Sequence, residues 1–122
     1  MSLSPRKRGQ QMETFACDIL TAQGLTLLQK NFRIKGGEID LIMSDRDCLV
    51  FIEVRYRQKD RYGCGLESIT AQKQRNIIRA AQVYLQNKDL MDKVPVRFDV
   101  LAITGETSPQ WTWIKQAIDL TE

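Results

Sequence analysis

Apolar residues Met12, Phe15, Ala16, Ile19 and Leu20 recur at the three-and-four spacing of one helical face. Ser4 and Pro5 supply a cap and a first helical residue, and Gly24 supplies a stop, so the pattern predicts a helix over about residues 5–23. Leu25 to Ile34 is a mixed stretch that reads as a first strand, closed by a turn at Gly36 and Gly37. From Glu38 the order is Glu-Ile-Asp-Leu-Ile-Met, and period-two alternation sets Glu38, Asp40 and Ile42 on one face against Ile39, Leu41 and Met43. After a turn at 44–47, residues 48–57 give the strongest strand signal, with Val50, Ile52, Val54 and Tyr56 on one face and Phe51, Glu53, Arg55 and Arg57 on the other. A polar, glycine-containing loop covers 58–68. A second helix runs from about Thr70 to Gln86, burying Ile77, Ala80, Ala81, Tyr84 and Leu85. Val94–Ile103 and Trp111–Lys115 read as strands, and residues 116–120 as a last helical turn. The order is α-β-β-β-α-β-β, an α/β class with no internal repeat or linker, expected as a single domain over 1–122 with a mobile arm at 1–8.

Composition narrows the chemistry. The 122 residues contain no histidine, which excludes Ser-His-Asp and Cys-His hydrolases, His-ligated zinc enzymes and any imidazole base. No apolar run reaches the length of a membrane span, and the basic N-terminus has no apolar stretch behind it, so neither a membrane protein nor a secretory signal is expected. Cys17, Cys48 and Cys64 are three in number, widely spaced and without a Cys-x-x-Cys pair; they read as reduced thiols of a cytoplasmic protein.

The net charge of +3 is unevenly spread. Residues 54–79 carry seven cations (Arg55, Arg57, Lys59, Arg61, Lys73, Arg75 and Arg79) against two anions, Asp60 and Glu67. A basic block on an otherwise acidic chain suits either a polyanion partner, nucleic acid first, or a solvated loop and helix face.

Acids interrupt two apolar strands. A two-residue turn at 45–46 would set Ser44 opposite Asp47, Asp40 opposite Phe51 and Glu38 opposite Glu53. Glu38, Asp40, Glu53 and Arg55 would then project to one side, with Asp40 and Glu53 diagonal neighbours about 7–8 Å apart at the backbone. Like charges this close repel, and burial worsens the repulsion. Either a hard divalent cation such as Mg²⁺ or Mn²⁺ compensates, or the face is wet and the acids pair with Arg55 and Arg57. Lys73 extends the inward stripe of the second helix in its first turn, where the helix dipole disfavours a cation. It reads either as a contact for an anion or carboxylate, or as a snorkelling surface lysine.

These segments resemble the YraN family of small bacterial endonuclease-like proteins, distantly similar to archaeal Holliday-junction resolvases. The resemblance runs from about Gly9 to Ile118 and centres on Gly37-Glu38-Ile39-Asp40-Leu41-Ile42 and Val50-Phe51-Ile52-Glu53-Val54-Arg55-Tyr56-Arg57. Around them lie Glu13 with Ala16, Asn31, Lys73, Ala81 with Tyr84 and Leu85, and Arg97-Phe98-Asp99-Val100. The resemblance implies a restriction-endonuclease-like αβββαβ core of the PD-(D/E)XK superfamily, a mixed central sheet flanked by helices. It implies Asp40 and Glu53 as metal ligands, the Val54 carbonyl as a further donor, and Glu13 as the extra glutamate of resolvase-like members. One position departs: Arg55 stands where the superfamily pattern has lysine. An arginine cannot act as a base near neutral pH, although it can stabilise charge on a phosphate. Lys73 could supply the missing ammonium from the helix.

The leading expectation is a Mg²⁺- or Mn²⁺-dependent endonuclease hydrolysing phosphodiester bonds in DNA, branched or structured DNA by resemblance. Asp40, Glu53, Arg55 and Lys73 would form its catalytic set, Glu13, Asp40, Glu53 and Val54 would hold metal, and Arg57, Arg61, Lys73, Arg75 and Arg79 would contact nucleic acid. The alternative is a non-catalytic nucleic-acid-binding module on a degenerate nuclease fold. A third is a protein–protein adaptor, with Trp111 and Trp113 as anchors; core packing or a dimer contact is the commoner use of such residues. A homodimer is expected by resemblance to resolvases alone. Asp99, also an acid within a strand, is expected to be structural.

Overall fold

In a computed structural model the chain is described for residues 5–57, 69–105 and 108–118. Helix α1 spans Pro5–Ala22. It ends on Gly24 at φ 106°, with the Leu25 N–H on Leu20 O (3.1 Å) and the Gly24 N–H on Thr21 O (3.0 Å). This is a Schellman stop, and the leucines at both ends of its longer hydrogen bond are buried. Strands β1 (Thr26–Ile34), β2 (Gly37–Asp45) and β3 (Cys48–Arg57) follow as antiparallel neighbours. Helix α2 (Ala71–Asn87) is capped by Thr70, whose side chain accepts the Lys73 N–H at 3.1 Å. Its other end repeats the α1 device, with Asp89 at φ 57° and the Leu90 N–H on Leu85 O at 2.8 Å. Strand β4 (Val96–Thr104) returns parallel to β3, and β5 (Gln110–Ile114) pairs antiparallel with β4. The result is a mixed five-stranded sheet in the order β1-β2-β3-β4-β5, consistent with the restriction-endonuclease-like core expected from the sequence.

Each helix covers its own apolar cluster. Ile42, Phe51, Phe98 and Val100 pack with Ile77, Ala80, Tyr84 and Leu85 of α2. Leu41, Val50, Ile52, Leu101 and Ile103 pack with Ala16 and Leu20 of α1. Phe51 lies between two rings, stacked on Phe98 (5.2 Å between centroids) and edge-on to Tyr84 (5.9 Å). The alternation read in residues 48–57 is thus the real division of β3 between the two faces. No helix among the described residues is long and apolar enough to cross a membrane.

Three local expectations are corrected. The β2–β3 turn falls at 46–47, with Asp45 opposite Cys48 and Arg46 at φ 60°, so the hairpin is shifted from the register with Ser44 opposite Asp47. Nothing in Ser44-Asp45-Arg46-Asp47 marks Arg46 as the left-handed residue, because glycine or asparagine ordinarily fills that place. Secondly, Ile39 packs with Ile42 on the α2 side, so strict alternation fails between them. The break sits where Asn31, at φ 53°, falls between the pairs Lys30↔Leu41 and Phe32↔Ile39. Thirdly, residues 115–118 form turns and bends, not a helical turn. Cys17 and Cys48 are free thiols, while Arg61, Cys64 and the 58–68 loop lie outside the described residues.

Candidate functional site

The β2–β3 ladder runs from Asp45↔Cys48 to Leu41↔Ile52. Beyond that pair β3 continues along β4 to Arg57↔Thr104, while β2 continues along β1 to Ile34↔Gly37. The two central strands part at Asp40 and Glu53, and the gap between them is the floor of a cleft of about 790 Å³. Glu13 of α1, Glu38 and Asp40 of β2, Glu53 of β3, and Lys73 and Asn76 of α2 line it.

The corrected register matters here. Continuing the observed pairing by one step puts Asp40 directly opposite Glu53, where the expected register made them diagonal. Asp40 replaces a missing strand partner by accepting the Val54 N–H on Oδ2 at 2.9 Å. The N–H and C=O of a strand residue leave on the same edge, so the Val54 carbonyl also faces this gap. Glu53 is buried, only 7% exposed, and its Oε2 meets Lys73 Nζ at 2.5 Å.

The electrostatics of the pair are unbalanced. Burial, and next the neighbouring Glu53 carboxylate, push the Asp40 carboxyl up to about 8 from its ordinary 3.8, against the lowering effect of the Val54 N–H. The proximity of Glu53 raises the Asp40 carboxyl further by favouring a proton between the two groups. Burial raises the Glu13 carboxyl as well; a hydrogen bond with Asn31 opposes the rise, and Glu38 adds to it. At the rim, Glu38 accepts from Arg33 Nε at 2.7 Å.

Gly37 explains how α2 comes so close to these acids. A Cβ there would lie 2.5 Å from the Asn76 carbonyl oxygen, so only glycine lets β2 start against the first turns of α2. That contact brings Lys73 over Glu53.

The model of the uncharacterised protein family UPF0102 matches residues 12–103, which run from within α1 to within β4 and contain every acid of the cleft. The chain belongs to this family. A UPF0102 protein of Nitrosococcus oceani is 50% identical over 113 residues, covering 92% of this chain and 91% of the relative. One from Coxiella burnetii is 49% identical over 115 residues, 94% of each chain. One from Pseudomonas putida is 43% identical over 118 residues, covering 95% of this chain and 96% of the relative.

Within this UPF0102 fold, the structure gathers Asp40, Glu53 and Lys73 into direct contact and sets Glu13 within electrostatic reach of Asp40. Arg55 is half-buried and does not line the cleft. Arg79 lies over the β1–β2 turn, its Nη1 3.4 Å from where a Gly36 Cβ would sit, and Arg75 follows the same line of α2 with Nη2 on Gln72 Oε1 at 2.8 Å. Arg57 is half-buried at the end of β3.

The donor set is of the type a hard divalent cation takes: two facing carboxylates, a strand carbonyl and a nearby glutamate. Among the described residues, however, no three carboxylate or thiol groups converge tightly enough to enclose a metal ion. Among the described residues, the positive charge in ion-pair contact with the two acids is that of Lys73, on Glu53.

Sequence reading left Asn31 without a stated role, although its φ of 53° and its bond to Glu13 shape the α1 side of the cleft. The signal was available, since asparagine tolerates the left-handed conformation better than most residues. Reading also left the partners of Asp99 open. That carboxylate, 1% exposed, takes Arg97 Nε (2.9 Å), Trp113 Nε1 (2.9 Å) and the Gln116 N–H (3.0 Å).

Proposed function

We propose that this UPF0102 protein is a divalent-metal-dependent endonuclease acting on phosphodiester bonds in DNA, with branched or structured DNA as the substrate implied by resemblance. The observation that carries the proposal is the Asp40–Glu53 pair: a half-buried and a buried carboxyl face each other across a parted strand junction, with one lysine on the buried acid. A stable fold has no use for that arrangement, and a cation held between the two would relieve it. Asp40, Glu53 and the Val54 carbonyl would hold the ion, with Glu13 as the outer carboxylate. When bound, Mg²⁺ or Mn²⁺ supplies a water of lowered pKa and neutralises charge on the phosphate. Lys73, freed from Glu53, would pair with the scissile phosphate, the role that the superfamily lysine has and that Arg55, which does not line the cleft, leaves open. Arg75 and Arg79 on the α2 rim, with Arg57, would contact the sugar-phosphate backbone, giving salt-dependent and largely sequence-independent binding.

The test is incubation of purified protein with branched and linear DNA in Mg²⁺ or Mn²⁺. Cleavage is expected to need the metal and to be abolished in Asp40→Asn and Glu53→Gln, with folding checked by circular dichroism. Cleavage surviving unchanged in Glu53→Ala would overturn these roles.

A second reading, a non-catalytic nucleic-acid-binding module, has its own support in Arg55 at the lysine position and in the absence of three converging acids among the described residues. It expects binding without cleavage, unaffected by metal or by Asp40→Asn.

A further inference from the structure

The proposed nuclease reading accounts for the acids and cations of the cleft but not for its other wall. Met12 and Tyr56 line that wall, and α1 contributes Gly9 one turn before Met12. A glycine inside a helix lowers helix stability relative to alanine, and is kept where another backbone must approach closely. Among the described residues there is no such approach: a Cβ on Gly9 would meet none of them within 4 Å. Among the described residues, the glycine leaves room in the cleft that half-buried Met12 and Tyr56 line together with Lys73 and Asn76 of α2.

An apolar and aromatic wall is unsuited to a sugar-phosphate backbone, which asks for cations and N–H donors. It suits the face of a base, which stacks on aromatic side chains whatever its identity. The size agrees, because a cleft of about 790 Å³ falls in the range that engulfs a small molecule, about 300–1,000 Å³.

We infer that the cleft takes an unpaired nucleotide, its base lodged against Tyr56 and Met12 in the space Gly9 leaves open, and its phosphate directed to Lys73. The inference rests on the nucleic-acid reading of the site and adds a specificity to it: single-stranded or frayed DNA is bound in the cleft, and fully paired DNA only along the rim. Tyr56 is then a positioning residue and does not take part in bond breaking.

The experiment measures binding without turnover, by fluorescence anisotropy of labelled oligothymidylate and of a blunt duplex of equal length, in EDTA. Wild type is expected to bind the single strand at least roughly tenfold more tightly than the duplex, and Tyr56→Ala to lose roughly tenfold or more on the single strand alone. Tyr56→Phe keeps the ring and should keep the preference. Tyr56 also packs on the α1-side core, so Gly9 gives an independent arm. Gly9→Trp fills the space and should remove single-strand binding with duplex binding unchanged. Equal affinity for the two DNAs, or a loss in Tyr56→Ala that falls equally on both, overturns the inference while leaving the metal site standing. Failure to bind either DNA, both in EDTA and with Ca²⁺ supplied as the hard cation, overturns both readings. Loss of cleavage with the single-strand preference intact overturns only the catalytic one.

Discussion

Asp99 and Glu53 are both buried acids on adjoining parallel strands, one register step apart, yet they face opposite sides of the sheet into opposite circumstances. Asp99 is saturated: the Arg97 guanidinium grips both of its oxygens, the Trp113 indole and the Gln116 N–H complete the set, and Arg97 is itself tied to Asp45 at 3.2 Å. Glu53 has one cation, a lysine 52% exposed, and looks across at a second carboxyl. The first cluster has a donor for each lone pair and is finished. The second is short of positive charge and is finished only by something that arrives. A buried acid therefore points to function through what its surroundings fail to supply, not through burial alone.

The largest effect should come from the finished cluster. Asp99→Ala leaves the half-buried Arg97 guanidinium with Asp45 alone and removes the acceptor of the Trp113 and Gln116 N–H groups, and a loss of about 3–5 kcal/mol is expected. Urea denaturation measures it; a loss below about 1 kcal/mol would mean that the network is ornamental. The unfinished cluster should respond to a ligand instead. Mn²⁺ at a hundred times its dissociation constant is expected to stabilise the wild type by about 2.7 kcal/mol, seen as a rise in melting temperature. Because the ion requires an ionised Asp40, whose carboxyl is held up to about 8, the shift should grow from pH 6 to pH 8. Asp40→Ala should remove it, and Asp47→Ala, on the exposed hairpin turn, should not. An unchanged shift in Asp40→Ala would place the ion elsewhere.

Much of the unfinished site was legible because it is local. Residues 48–57 form the strand their alternation announced, and Glu53 points away from Val54 and Tyr56 as period two requires. The hairpin parity brought Asp40 and Glu53 together even though the turn was placed one residue early, since an equal shift on both strands moves partners by two and preserves the shared side. Arg55 shows where that logic stops: alternation puts it beside Glu53, but the strands diverge and the cleft lies on the β2 side of the fork. Asp99 was legible only as an anomaly. Its donors come from two residues away on the same strand and from 14 and 17 residues further on, and no periodicity links Trp113 or Gln116 to a particular acid. Glu13 entered through family resemblance, because nothing in the α1 pattern singles out one polar position among many.

Gly37 sharpens the comparison from the backbone. A methyl at this position would lie 2.5 Å from the Asn76 carbonyl, so Gly37→Ala must move α2 outward. The expected cost is about 1–3 kcal/mol, the range for forced overpacking. The displacement carries Lys73 off Glu53 and should weaken Mn²⁺ binding, while the Trp113 fluorescence environment, on the other face, stays as in wild type. A change confined to Trp113 would show that the clusters are not independent.

The smallest effect is the most discriminating, because its sign should change between the two acids. In folded protein the Asp40 carboxyl titrates near 8, far above its ordinary 3.8, so the folded chain keeps a proton that the unfolded chain releases across that interval. Stability from this group is therefore undiminished below about pH 4, declines as pH rises through the interval, and is lowest above about 8. Asp40→Asn removes the titration while its amide oxygen can still accept the Val54 N–H and its amide can donate to Glu53. Wild type and variant should match near pH 4. By pH 9, without metal, the variant should be the more stable, by on the order of 1–2 kcal/mol after relaxation around the charge. Asp99→Asn at pH 9 should instead be less stable than wild type, since it weakens the grip of Arg97 and relieves no repulsion. Urea midpoints at both pH values decide the matter. A constant difference between Asp40→Asn and wild type across the range would mean that Asp40 is ionised throughout, and the contrast between the poised acid and the finished one would be lost.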